Sequence, residues 1–227
     1  MNSTYYEGSQ SNSYSLTKVF GWLFYAILLT AVTAFGIPYL LVAINAVEAY
    51  YSILITGLVA IFILSFIGQF IIARTQSKPL AITIYSLYAI AMGTWISPLV
   101  IIYDLGTLIY SLFITAGIFG IMAIYGAVTK RDLSGFGTFL IMLLLGCLVV
   151  SIFNIFFANT TVDWIISYVL LAVYIGFIAV DIQRVKRLAD SNQLNLNSSL
   201  LLALNLYIDF VYVFIRVVAL VGNSRRN

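Results

Sequence analysis

The sequence predicts an all-α membrane protein, a bundle of seven transmembrane helices, and three observations carry that prediction. Apolar residues make up 63% of the 227 positions and charged residues only 8%, against about 45–50% and about 25% in soluble domains. Eleven basic and eight acidic side chains cannot cover the surface of a 25.2 kDa globule. The apolar residues also fall into seven long runs, each near the ~20 residues a helix needs to cross a bilayer, without the alternation of a barrel strand. A helical bundle is then the structure that satisfies every backbone polar group in lipid. The length leaves little for an extramembrane domain, so function belongs inside the bundle or at its mouths.

The elements follow in order. Residues 1–18 are polar, rich in Ser, Asn and Tyr, and lack the basic start and cleavage site of a signal peptide. They read as a disordered tail. The transmembrane domain occupies 19–222, with spans over Val19–Ile44, Tyr50–Ala73, Pro79–Tyr103, Leu105–Val128, Phe136–Ala158, Trp164–Val180 and Ser199–Val221. Residues 223–227 form a short C-terminal tail. Pro38 and Pro98 lie inside the first and third spans and are expected to kink them. No internal repeat argues for an inverted-repeat transporter.

Charge in the connections predicts orientation. The N-terminal tail and the second, fourth and sixth loops carry Lys18, Arg74, Lys78, Lys130, Arg131, Arg184, Lys186 and Arg187. The other loops carry only Glu48, Asp104 and Asp163, ordinary solvated loop charges that would also raise cation concentration at that mouth. The asymmetry places the N-terminus in the cytoplasm of a cell membrane. Seven full crossings are favoured over a re-entrant last segment, although Arg225 and Arg226 then lie outside.

Composition also excludes classes of function. There is no histidine, which removes zinc-peptidase motifs, His-ligated haem and Ser-His dyads. Cys147 is the one cysteine, so no intrachain disulfide forms, and it reads as a small core or lipid-facing residue. A net charge of +3 implies no nucleic acid. No catalytic residue or cofactor is expected. The sequons at Asn2, Asn159 and Asn197 mean little without a compartment.

An ionisable group within a span costs roughly 2.5–3.5 kcal/mol on insertion scales, so each needs a reason. Asp209 lies within the last apolar segment, ALNLYIDFVYVFIRVVALVG. Asn205, Asp209, Tyr212 and Arg216 fall at i, i+4, i+7 and i+11, one polar stripe suited to the bundle interior and a candidate ion path. Asp209 and Arg216 stand about 10.5 Å apart in rise, too far for an easy direct pair. Asp181 ends the sixth segment, in YIGFIAVDIQRVKRL, where helix is expected to continue; its bland reading is an interfacial acid balanced by Arg184. Arg74 closes the second span and reads, by itself, as a snorkelling anchor. Gln69 and Asn154 read as interhelical hydrogen-bond partners.

The last segment, preceded by AVDIQRVKRL, TKRDLSGFGTFL and SIFNIFF, resembles the Bax inhibitor-1 family, in particular its small bacterial members that leak calcium in a pH-dependent way. The likeness covers essentially all seven spans, and the LNLYxDF run is its most specific part. The resemblance implies a seven-helix fold with the last helix central. It implies a pH-sensing aspartate pair, Asp181 and Asp209, and an arginine counter-ion at Arg74. One departure is visible: bacterial relatives can carry a glutamate about eleven residues before that arginine, in the calcium path, and here that region reads GLVAIFIL.

The expected mechanism follows from carboxylate chemistry. Two carboxylates close together in a low dielectric share a proton and titrate as one pair. The shared proton closes the path; its loss separates the carboxylates and opens it. Freed Asp181 and Asp209, with Asn205, Tyr212 and backbone carbonyls, would form a weak, transient calcium site of the kind conduction needs. The alternative is a non-conducting regulatory protein that binds another membrane protein or a protease. A retinal protein is excluded because Lys18, Lys78, Lys130 and Lys186 all lie outside the spans. An intramembrane aspartyl protease lacks its GxGD context at Asp209, and a proton-coupled exchanger stays open within the transport class.

Overall fold

A computed structural model describes the backbone of residues 4–226 and the side chains of residues 16–222. Residues 1–15, most of the tail expected over 1–18, and the tail expected over 223–227 therefore lie outside the described side chains. Among the described residues every regular element is helical. The seven spans are Leu16–Ala43, Val47–Arg74, Lys78–Ile102, Leu105–Val128, Ser134–Phe157, Thr160–Asp190 and Leu196–Gly222. Even the 24-residue spans reach about 36 Å, longer than a hydrocarbon core of about 30 Å. The last helix runs unbroken over Leu196–Arg226, long and apolar enough over Leu196–Gly222 to cross and without the break of a re-entrant hairpin.

Boundaries shift where polarity and helicity part company. The sixth helix continues ten residues past the expected Val180, through Asp181 to Asp190, because its polar turns keep a buried face at Ile182, Gln183, Val185 and Ala189. The second span is helical throughout but changes pitch: Leu64–Gly68 is a π turn in which the Gln69 N–H reaches back to the Leu64 carbonyl. In the third span Pro98 removes the N–H that would bond the Thr94 carbonyl. The Ser97 hydroxyl donates to that carbonyl instead, at 2.7 Å, and Ser97 Oγ also meets Tyr50 OH at 2.9 Å.

The chain divides into two compact units. The first comprises Met1–Leu108 and Leu188–Tyr207. In it the first and third spans pack at a close approach: a Cβ on Gly93 would stand 2.6 Å from the Thr30 carbonyl oxygen, so only glycine fits. Thr30 Oγ1 donates to the Ala89 carbonyl at 3.1 Å and meets the Tyr207 hydroxyl at 2.5 Å. Asn195 caps the last helix in a reciprocal box, its Oδ1 accepting the Ser198 N–H while Ser198 Oγ accepts the Asn195 N–H. Asn197 donates to the Thr75 carbonyl at 2.7 Å and ties that first turn to the connection after the second span.

The second unit comprises Ile109–Arg187 and Ile208–Asn227. Here the fourth and sixth spans touch through Gly126, where any Cβ would overlap the carbonyl oxygen of Ala179. Cys147 is buried in the fifth span. That span ends at Ala158, whose left-handed φ of 48° turns the chain. Asn154 holds the turn: its Nδ2 donates to the Asn159 carbonyl and to Asp163 Oδ1, and its Oδ1 accepts the Asn159 N–H. Within each unit, the portion of the last helix between Leu196 and Gly222 has no exposed residue.

Candidate functional site

The second unit contains both predicted carboxylates. Tyr174 of the sixth span stacks on Tyr212 of the seventh, ring centroids 4.5 Å apart and planes within 1°. That contact sets the register of the two antiparallel helices. Asp181 lies seven residues from Tyr174 and Asp209 three residues from Tyr212, both toward the basic end of the spans. The carboxyls are therefore offset by about 6 Å along the axis. Both spacings keep the residue on the side of its helix that bears the tyrosine. The two carboxyls interact electrostatically, and Arg184 is the charged neighbour of Asp181 on its own helix.

Their surroundings differ. Asp209 is 5% exposed and its Oδ2 has no hydrogen-bond partner among the described residues. Phe210 beside it packs edge-on against Phe119 of the fourth span at 5.7 Å, so that side of the site is apolar. Asp181 is half-buried. An unpartnered buried oxygen costs about 1–3 kcal/mol; Asp209 Oδ2 and Ser111 Oγ are the two such atoms among the described residues of this unit, and Asp209 is the ionisable one.

The remaining predicted residues are placed as follows. Asn205 is half-buried on the stripe of the last helix, one turn before Asp209. Tyr212 is engaged by Tyr174. Arg216 Nη1 donates to Ser167 Oγ at 3.0 Å, so the arginine turns to the sixth helix and not along its own helix to Asp209. Arg74 is exposed at the end of the second span, its guanidinium 4.4 Å from the Phe70 ring centre, and makes no ion pair among the described residues. Glu48, Asp104 and Asp163 are exposed; Asp104 caps the fourth span by accepting the Thr107 N–H and hydroxyl.

Among the described residues no three or more Asp, Glu, Cys or His side chains gather into a metal cluster, whereas a firm calcium site takes six to eight oxygens.

Several participants escape hydropathy reading. Gln183, two residues beyond Asp181, is buried and accepts the Leu133 N–H while donating to the Arg131 carbonyl. Lys186 donates to the Ala127 carbonyl, and Arg187 pairs with Asp132 at 2.9 Å. These residues at i, i+3 and i+4 clamp the fourth loop onto the sixth helix just past Asp181. Asp132 also accepts the backbone N–H and hydroxyl of Ser134. The Ser134 backbone N–H foremost, then its hydroxyl and Arg187, hold the Asp132 carboxyl below its ordinary range. Tyr174 had a signal in the sequence, lying seven residues before Asp181 on the same helix face.

Comparison with known proteins places this arrangement. A family model described as inhibitor of apoptosis-promoting Bax1 matches residues 12–226. The inner membrane protein YbhL of Escherichia coli (strain K12) is 30% identical over 217 residues, 92% of each chain. An uncharacterized protein of Rickettsia prowazekii is 29% identical over 99% of this chain and 94% of its own. An uncharacterized membrane protein of Streptococcus pyogenes serotype M3 is 30% identical over 81% and 78%. With seven apolar helices and a family match over nearly its whole length, the chain is a multi-pass membrane protein that belongs to the Bax inhibitor-1 family.

Proposed function

We propose that this protein is a pH-sensitive calcium, or more broadly cation, leak of the cell membrane, gated by a proton shared between Asp181 and Asp209. The reading rests above all on Asp209, a buried carboxyl with an unpartnered oxygen that interacts with a second carboxyl across two helices. A carboxyl of that kind is expensive to keep for packing alone, and leucine would fill the space without an orphaned oxygen.

The sign of the gate follows from which state holds the proton. Closed protein carries one proton on the pair, which cancels the repulsion between the carboxyls and lets the sixth and seventh helices stay packed at Tyr174 and Tyr212. Raising the pH removes that proton, the carboxylates repel, and the open state gains population. A path that opens with proton loss conducts more at high pH. For a single shared proton the steepest change is about tenfold per pH unit. The conducted ion meets carboxylate oxygens in a polar stripe, an oxygen environment suited to calcium and too sparse to trap it.

The basic loops support an N-terminus in the cytoplasm, and the name of the Escherichia coli relative, an inner membrane protein, supports an inner-membrane location. Arg74 enters the proposal as a charge that favours the deprotonated state.

The test is calcium flux into liposomes containing only the purified protein, scanned from about pH 5 to about pH 8. Flux that rises with pH in the wild type and stays flat in Asp209→Asn is the expected result. Absence of flux at every pH, from inserted and folded protein, overturns conduction and leaves the non-conducting regulatory reading.

A further inference from the structure

We propose that a cavity between the start of the sixth span and the end of the seventh binds the headgroup of a zwitterionic phospholipid, the phosphodiester on Arg216 and a primary ammonium on Asp163. The cavity has a volume of about 210 Å³ and is lined by Asp163, Trp164, Ser167, Tyr168, Arg216 and the apolar pair Ala219 and Leu220.

Two opposite charges face this cavity, yet no ion pair joins them among the described residues. Each is held back by a neutral partner. Asp163 Oδ1 accepts from Asn154 Nδ2 at 2.6 Å, and Arg216 Nη1 donates to Ser167 Oγ at 3.0 Å. The guanidinium has five N–H donors, and the bond to Ser167 occupies one of them. A half-buried arginine at the membrane boundary without a carboxylate is poorly compensated, and a phosphate, two of whose oxygens can accept parallel N–H bonds from the planar guanidinium, is a partner it suits.

Depth selects the ligand. Ser167 lies one turn beyond Asp163 on the sixth helix, so the arginine docks about 6 Å deeper along the span than the aspartate. In a phospholipid the phosphate sits nearer the hydrocarbon and the amine farther out, the same order as Arg216 and Asp163. A purely anionic headgroup would place no cation opposite Asp163 and would be repelled by it. Trp164 and Tyr168 stack 6.0 Å apart at this depth, where aromatic rings favour the interface and an ammonium finds a π face. Ala219 and Leu220 then meet the glycerol and first acyl carbons.

The experiment is native mass spectrometry of the purified full-length protein equilibrated with equal amounts of phosphatidylethanolamine, phosphatidylglycerol and phosphatidylcholine. The expected result is retention of phosphatidylethanolamine over phosphatidylglycerol by about tenfold, the ratio a charge-assisted hydrogen bond confers. Asp163→Asn is expected to bring that ratio to about one. Arg216→Gln is expected to lose all three lipids, and Arg216→Lys to retain phosphatidylethanolamine. Should the glutamine variant fail to fold, the aspartate variant decides. Equal retention of the ethanolamine and glycerol lipids by the wild type overturns the proposal, as does an unchanged ratio in Asp163→Asn. Equal retention of the choline lipid overturns the primary ammonium. Competition by soluble glycerophosphoethanolamine at the lipid's own concentration overturns a membrane source.

Discussion

Tyr207 and Asp209 lie two residues apart on the last helix, and the fold treats them differently. Tyr207 is fully buried and its hydroxyl meets Thr30 at 2.5 Å, in a unit where Thr30 also donates to Ala89 and Tyr88 packs edge-on against the ring. Asp209 is nearly as buried, in the other unit, and one of its oxygens has no partner among the described residues. A buried polar group with a partner contributes about 0.5–1.5 kcal/mol and fixes a packing; one without a partner costs free energy and needs another reason to persist. The contrast separates a residue that holds the bundle from one that, in the proposed function, changes protonation.

The largest expected effect that would break this contrast lies at Asp209. Asp209→Asn should turn a flux that varies about tenfold per pH unit into one flat with pH, while melting in detergent moves little because the amide inherits the same unsatisfied place. A pH profile that survives in the folded variant removes the aspartate pair as a sensor. Next, Arg74→Ala should lower flux at high pH and leave it unchanged at low pH, read in the same liposomes. Equal flux at both ends would deny Arg74 any part in the open state.

Smaller effects sharpen the structural half of the comparison. Asn154→Ala removes three hydrogen bonds at the turn after the fifth span and should cost about 2–3 kcal/mol, measured by chemical denaturation in detergent. Tyr207→Phe should cost about 1 kcal/mol, with Thr30 still bonded to Ala89, and should leave the pH profile of flux intact. A flattened profile would mean that Tyr207 belongs to the switch after all. The smallest effect is at Asp132. Its folded carboxyl titrates below its ordinary value, so its contribution is present above the unfolded value and fades as pH falls through the folded one. Asp132→Asn should therefore lower thermal stability slightly at neutral pH and not at all below the carboxylate range.

How much of this was legible varies by element. The second and fifth spans, 17% buried over their most apolar windows, are recognised by hydropathy because most of each helix surface is apolar and left unburied by the rest of the chain, although the π turn in the second span is not. The last span, 50% buried, is recognisable too, but its stripe of Asn205, Asp209, Tyr212 and Arg216 says only that a polar face exists. Which groups that face meets depends on register with other helices. Arg216 illustrates the gap: spacing along its own helix argued against Asp209 and could not reveal Ser167. Gln183 illustrates another, since a glutamine past the end of an apolar run looks solvated until the fourth loop folds over it.

By itself the sequence determined the seven crossings, the absence of imidazole chemistry and the two carboxylates within spans, because insertion into lipid is priced residue by residue along one chain. Tertiary structure alone decided that Tyr174 stacks on Tyr212, that Asp209 keeps an unpartnered oxygen and that Asp163 and Arg216 share a cavity without pairing. Those facts depend on the rotation and offset of one helix against another, which close packing at positions such as Gly126 sets and no single helix encodes.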